Sequence, residues 1–282
     1  MTQMNADEPR MLKPRGEARN TLGQASGRSA SSADKISLSE AEIAFVRSLV
    51  IYEDGELIAL NKPPGLSSQG GRIAAHTLDD LLAAFAKSSG VKPRLVHRLD
   101  RDTSGVILTA RSQPGAAFLG KAMMSRRVKK TYLALVAPGA PDPREGGIEA
   151  ALRKESQGRE AYIKVCPPDH PDAQAASTRY RTLAASDTAA LVELAPRTGR
   201  MHQLRVHLAS IGRPIAGDPR YGGALVLAGA PVPRLMLHAA ALVFPHPSGG
   251  ERRIEAPLPA DMAALSQALG LAVPGRWSGG NL

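Results

Sequence analysis

Residues 96–105, Val96-His97-Arg98-Leu99-Asp100-Arg101-Asp102-Thr103-Ser104-Gly105, set two carboxylates among arginines at the mouth of an apolar run, Val106 to Ala110. Arg94, Arg98 and Arg101 favour negative charge on Asp100. An ionised carboxylate is a poor general acid at neutral pH but a competent nucleophile. Thr103-Ser104-Gly105 reads as turn chemistry, which places Asp100 in a loop held by a strand, a usual seat for reactive groups. The competing reading is a surface salt-bridge cluster, or an aspartate capping its own turn.

A second stretch, Arg197-Thr198-Gly199-Arg200-Met201-His202-Gln203-Leu204-Arg205-Val206-His207, opens a helix from a glycine turn. Free backbone N–H groups at such a start suit phosphate. An exposed basic helix face is the plainer alternative. Pro214 to Asp218 and Tyr221-Gly222-Gly223 form a tight loop suited to packing beneath the site. Lys129-Lys130-Thr131-Tyr132 joins a basic run to a strand. Tyr132 is either a half-buried strand tyrosine or a ring that stacks on a base beside a cationic surface.

Other chemistries fail on spacing or surroundings. His202 and His207 are five apart and do not share a helix face, and nearby arginines repel a divalent cation, so His97, Asp100, His202 and His207 make a poor metal site. Neither a G-x-x-x-x-G-K-[ST] loop nor a G-x-G-x-x-G fingerprint occurs. There is no G-x-S-x-G elbow. Asp102 is the one carboxylate close to Asp100, and its neighbours have the wrong sign for the raised pKa of a glycosidase acid.

The elements that must position these residues follow from pattern. Residues 1–36 are polar and aperiodic, the signature of a disordered tail. Ser39 with Glu42, and Thr77 with Asp80, are capping boxes before helices, the second running to Gly90. Strands are predicted at 50–52, 56–61, 106–110, 131–136, 148–153, 161–166, 177–184, 189–195, 237–244 and 253–256. Further helices are predicted at 114–127, 201–211 and 260–269. Early strand-helix alternation giving way to a run of strands favours an α+β fold with a largely antiparallel sheet.

Of the 282 residues, 43% are hydrophobic and 22% charged, which supports a packed core. A single cysteine, Cys166, excludes an intramolecular disulfide and a thiolate-rich zinc site. The first twenty residues carry charge and no apolar run, and the longest charge-free stretches are short and rich in Gly and Pro. These features predict no signal peptide, no membrane span and a cytoplasmic protein. The net charge is +10 and is concentrated. Residues 94–130 hold nine Lys/Arg against two Asp, and 197–220 hold five Arg against one Asp, so the remainder is close to neutral. That concentration points to a polyanion surface, with solvated charged faces as the bland reading and acidic phospholipid as the weaker one.

His97-Arg98-Leu99-Asp100-x-x-Thr103-Ser104-Gly105 resembles the signature of the RluA-type RNA pseudouridine synthases. Lys130-Thr131-Tyr132 is similar to that family's tyrosine motif. Arg197-Thr198-Gly199-Arg200-x-His202-Gln203-Leu204-Arg205-x-His207, followed by Gly212-x-Pro214-Ile215-x-Gly217-Asp218-x-x-Tyr221-Gly222, resembles its third. Glu53-Asp54 and Asn61-Lys62-Pro63-x-Gly65-Leu66 match the family's opening strands. The resemblance runs in order from about residue 50 to residue 270. The Gln69-Gly70-Gly71 loop and Arg98 to Asp102 lean toward members that modify large-subunit ribosomal RNA. Many members carry a small S4-type N-terminal domain, where a short polar tail stands here.

The resemblance implies the mixed α/β pseudouridine synthase core: an eight-stranded, mostly antiparallel sheet over residues 37–272 with an active cleft across its middle, then a flexible tail at 273–282. It implies isomerisation of uridine in RNA to its C-glycoside, with no cofactor and no metal. Asp100 would be the catalytic aspartate, either attacking C1′ or acting by a glycal-type proton abstraction. Arg205 would pair with Asp100 and hold it ionised. Tyr132 would stack on the uracil, and Arg98 would brace the place the flipped nucleotide leaves. Arg98, Arg101, Lys129, Lys130, Arg200 and His202 are the expected RNA contacts. The expected partner is ribosomal RNA, with transfer RNA as the alternative target and a monomer as the default state. A non-catalytic RNA-binding platform is the runner-up.

Overall fold

The computed structural model describes residues 37–70, 76–157, 160–275, 277–278 and 282. The expected tail over 1–36 lies outside the described residues, as do Gly71 of the Gln69-Gly70-Gly71 loop and part of the 273–282 segment. Both capping boxes form. Ser39 and Glu42 exchange backbone and side-chain hydrogen bonds to start helix α1 (Glu40–Ser48), and Thr77 and Asp80 do the same for α2 (Leu78–Leu81). The helix expected to reach Gly90 is shorter. After one turn it tightens into a 3-10 turn, Leu82–Phe85. That length already buries Leu78, Leu81, Leu82 and Phe85 against Val46, Ile58 and Leu60. Beyond it, Ala86-Lys87-Ser88-Ser89-Gly90 offers no apolar face to extend the helix.

Fourteen strands follow in chain order: β1 (Val50–Glu53), β2 (Leu57–Lys62), β3 (Arg94–Leu95), β4 (Ser104–Ala110), β5 (Lys129–Val136), β6 (Glu145–Glu149), β7 (Leu152–Gln157), β8 (Glu160–Val165), β9 (Ser177–Ala185), β10 (Ala190–Pro196), β11 (Val226–Leu227), β12 (Ala230–Pro231), β13 (Leu237–Pro245) and β14 (Glu251–Glu255). Helices α3 (Gln113–Met124), α4 (Gln203–Ser210) and α5 (Ala260–Ala268) complete the fold. Eight strands make one continuous path, β1-β2-β4-β13-β5-β10-β9-β6, and β3 and β14 add to β4 and β13, giving ten. The pairing is antiparallel except between β4 and β13. The α+β class and the mostly antiparallel sheet are as expected; the strand count grows by the two side additions.

The central strands β4 and β13 are buried almost throughout, which is why their sequences are apolar runs rather than alternations. One apolar layer joins β5, β10 and β13 to α4 and α5; another joins β2 and β4 to α3. Two expectations change. Ser104 and Gly105 are not a turn but the first residues of β4. A Cβ at Gly105 would sit 2.1 Å from Ala239 O, so only glycine lets β13 approach there. The strand expected at 148–153 is two strands in different sheets, broken at Ala150-Ala151. The break is stable because its carbonyls find partners: His207 Nε2 lies 3.0 Å from Ala150 O, and Cys166 N donates to Ala151 O.

Candidate active site

A cleft of about 460 Å³ opens beside the centre of the sheet, between the loop that enters β4 and the loop that enters α4. It brings together Arg98, Asp100, Lys130, Tyr132, Arg200, His202 and Arg205, residues spread over more than a hundred positions. Two expected contacts do not line it. Arg101 turns to Asp102, its Nε 3.0 Å from Oδ1, and Lys129 lines a neighbouring groove.

On the first bank the backbone is clamped and the carboxylate is left open. Ser68 Oγ donates to Leu99 O at 2.7 Å and accepts from Leu99 N at 3.1 Å. His97 Nε2 accepts from Leu108 N, which ties the start of the loop to β4. Burial lowers the His97 pKa to about 3, so the ring is a neutral acceptor. The fully buried Lys62 donates its three protons to Pro63 O, Leu66 O and Arg101 O at 2.8–2.9 Å. Burial draws its pKa down to about 7, against the charges of Asp102 and Asp100. Gly65 N donates to the same Arg101 carbonyl. The Asp100 side chain, about a third exposed, has no hydrogen bond among the described residues; the nearest cationic-type group is His202 Nε2 at 4.0 Å.

On the second bank the side chains hold one another. Gln203 is 4% exposed and uses both ends of its amide. Its Oε1 accepts from Thr198 Oγ1 and Arg200 N, and its Nε2 donates to Ser177 O and Thr178 Oγ1. This pins the 198–200 loop to β9. His202 takes a left-handed conformation, φ 53°, just before α4. Its Nδ1 lies 2.7 Å from Tyr221 Oη, which accepts from Ile163 N at 3.2 Å. The tyrosine's own proton is free to go to Nδ1; in that tautomer the ring proton sits on Nε2, facing Asp100. Burial lowers the His202 pKa, and the Asp100 charge opposes the shift.

The expected pair between Arg205 and Asp100 is not made. The Arg205 guanidinium forks onto the fully buried Asp218, with Nε and one terminal nitrogen each 2.7 Å from a carboxylate oxygen. It also stacks over the Tyr221 ring at 4.9 Å. Asp218 is reached through Gly217, φ 74°, where a Cβ would sit 1.8 Å from Arg234 O, so only glycine lets the two backbones approach there. A bidentate, buried site on this short return loop outcompetes the more exposed Asp100. Arg205 reaches Asp100 only through space. Tyr132 is presented from β5 into the cleft, its hydroxyl kept neutral by burial and by the Asp100 charge. Among the described residues, no group of three or more His, Cys, Asp and Glu side chains is placed to hold a metal ion.

Sequence reasoning set the loop of Asp218 and Tyr221 beneath the site but missed what those two side chains hold, and it missed Lys62 and Gln203 as positioning groups. The signal for Lys62 was a lysine closing an apolar strand just before Pro63-Pro64.

A family profile described as RNA pseudouridylate synthase matches residues 56–210, more than half of the chain. The "Ribosomal large subunit pseudouridine synthase C" of Escherichia coli (strain K12) is 38% identical over 225 residues, covering 77% of this chain and 68% of that protein. This chain belongs to the RNA pseudouridylate synthase family. The synthase is also 37% identical over 229 residues to the "Ribosomal large subunit pseudouridine synthase D" of Nitrosomonas europaea, covering 78% of this chain and 64% of that one. Among solved structures, the human "RNA Pseudouridylate Synthase Domain Containing 4" superposes with a TM-score of 0.70 at 26% identity, covering 83% of this chain and 99% of that chain. The human "Domain Containing 1" protein gives 0.64 at 26%, covering 81% and 90%. The synthase isomerises uridine in RNA.

Proposed function

We propose that the synthase acts on large-subunit ribosomal RNA in the cytoplasm, as a monomer, with residues 37–272 as its catalytic domain and Asp100 as the reacting carboxylate. The observation that carries the assignment is the state of Asp100: an anchored backbone, an uncommitted side chain, and a cleft with Tyr132, His202, Arg205 and Lys130 around it. A flipped uridine enters the cleft and stacks on Tyr132. Asp100 then either attacks C1′ or removes a sugar proton, and both routes need an anionic oxygen. The N-glycosidic bond breaks, the base turns, and C5 joins C1′ as Asp100 is released or gives back the sugar proton; the C5 proton then leaves and N1 takes one up, so atoms and electrons balance without a co-reactant. Arg205, locked to Asp218, supplies fixed positive charge near the reacting centre rather than a direct partner for Asp100. Arg98, exposed at the rim, braces the gap the nucleotide leaves, and Lys130, Arg200 and His202 meet the strand. Arg101 and Lys129 reach the RNA from outside the cleft. The names of the bacterial relatives support ribosomal RNA over transfer RNA.

The test is Asp100→Asn beside Asp102→Asn. Asparagine keeps the shape and loses the charge. Such reactions need on the order of 8–23 kcal/mol of barrier lowering, so Asp100→Asn is expected to drop pseudouridine formation below detection while RNA affinity stays or tightens. Asp102, whose carboxylate hydrogen-bonds Arg101 and otherwise acts on Lys62 only through space, is expected to tolerate the change. An active Asp100→Asn with a dead Asp102→Asn moves the assignment to the other carboxylate, and activity in both removes it.

A further inference from the structure

A second groove, of about 320 Å³, lies next to the catalytic cleft and shares Lys130 and Pro196 with it. Ala195 and Pro196 form part of its lining, Leu282 borders it, and its charged side chains are those of Arg126, Lys129, Lys130 and Arg197, all positive. The side chains of Arg126 and Arg197 are exposed and have no hydrogen-bond or ion-pair partner among the described residues. Continuity with the cleft matters, because a strand whose nucleotide is flipped toward Asp100 must leave the cleft over its rim, and this rim is cationic.

The backbone at Arg126 adds an independent observation. Helix α3 ends in a Schellman motif: Arg127 N donates to Ala122 O at 2.9 Å and Arg126 N to Met123 O at 3.1 Å. The motif requires a left-handed residue after the cap, and Arg126 holds it at φ 58°. Glycine is the residue that takes this place without penalty. The chain instead carries an arginine there, at a cost in stability, and points a charge at the groove. Strain of this kind clusters at functional sites.

We propose that this groove is a phosphodiester subsite, in which Arg126 and Arg197 hold the RNA backbone beside the flipped uridine, and that Arg126 trades stability for that contact. The proposal deepens the reading of the synthase as an enzyme of structured RNA and rests on it for its ligand. Binding of a large-subunit ribosomal RNA transcript, measured over a range of salt, and thermal unfolding are compared for the wild type, Arg126→Gly and Arg126→Lys. Arg126→Gly is expected to raise Tm by about 2–4 °C, from relief of the left-handed strain. It is also expected to weaken binding and to reduce the slope of log affinity against log salt by roughly 0.7–0.9, one phosphate contact. Arg126→Lys is expected to keep the wild-type slope and gain no stability. An unchanged slope in Arg126→Gly overturns the subsite, and is also the result expected if the groove serves an acidic protein. A fall in Tm for Arg126→Gly overturns the trade, because Arg126 would then be holding the fold. Uridine conversion by the wild type on the same transcript is scored separately. If no uridine converts but the slope still falls in Arg126→Gly, the groove stands and the assignment of large-subunit ribosomal RNA as the target falls.

Discussion

The two banks of the cleft are built by opposite means. Around Asp100, the main chain is fastened by Lys62, Ser68 and Gly65, and the functional side chain is left without a bond. Around Arg205, the side chains are fastened to one another, through Asp218, Tyr221 and Gln203, and the functional groups are already spoken for. The contrast matches the work each bank is given in the proposed mechanism. A group that forms or breaks a bond must be free to change partners. Groups that present charge or orient a ring act best when they need no rearrangement as the reaction proceeds.

The strongest way to break the contrast is to remove the anchor of the second bank. Asp218→Asn leaves the Arg205 guanidinium, 11% exposed, without its anion. The expected loss is about 3–5 kcal/mol in urea unfolding, with turnover falling even in the folded fraction. Stability within 1 kcal/mol of wild type, an on-the-order-of threshold for one ordinary hydrogen bond, would show that the bank does not depend on the pair. Next comes Lys62→Met, which keeps the length of the side chain, strips Pro63 O and Leu66 O of this donor and leaves Arg101 O with Gly65 N alone. A loss of about 3 kcal/mol is expected. Hydrogen exchange should quicken at the amides of Leu99 to Thr103 and stay slow at those of α4, and equal quickening on both banks would erase the distinction.

The smallest effect concerns the strand between the banks. His238 on β13 is fully buried, with Nδ1 3.0 Å from Ser104 Oγ, and burial lowers its pKa from 6.5 to about 4. The unfolded chain therefore binds a proton that the folded one refuses between these values. The stability is fully present above pH 6.5 and is lost as pH falls toward 4, by about 2 kcal/mol at pH 5. His97 acts in the same direction. His238→Asn, which preserves the Nδ1 position, is expected to flatten the dependence of Tm on pH, and an unaltered profile would take His238 out of the account.

Much of this architecture was legible in the sequence because it is local. Ser39-x-x-Glu42 and Thr77-x-x-Asp80 are self-contained hydrogen-bond devices, and they form. Asp100 at a strand mouth was readable from the switch between a charged run and an apolar one. What escaped depends on distant partners. Nothing in spacing tells whether Arg205 will take Asp100 or Asp218 as its anion; that is decided by a return loop in which Gly217 and Gly223 let backbones nearly touch. The break at Ala150 escaped for the same reason, since the carbonyl it frees is met by a histidine 57 positions away. The apolar pattern of 148–153 is the same whether one strand runs there or two meet.

The single parallel pairing in the sheet carries a consequence for timing. Ser104 and His238 stand side by side although 134 positions separate them, and β13 lies between β4 and β5. Until residues 237–245 have been made, the strand that follows Asp100 and the strand that bears Tyr132 have no common neighbour. Contacts of such long range form late and slowly. Chains stalled on the ribosome short of residue 237 are expected to stay open to protease at the Asp100 loop, and chains stalled well past residue 245 to be protected. Making β13 is thus the act that assembles the proposed reaction centre, so a chain stalled before it, sitting beside abundant RNA, has charge but no chemistry.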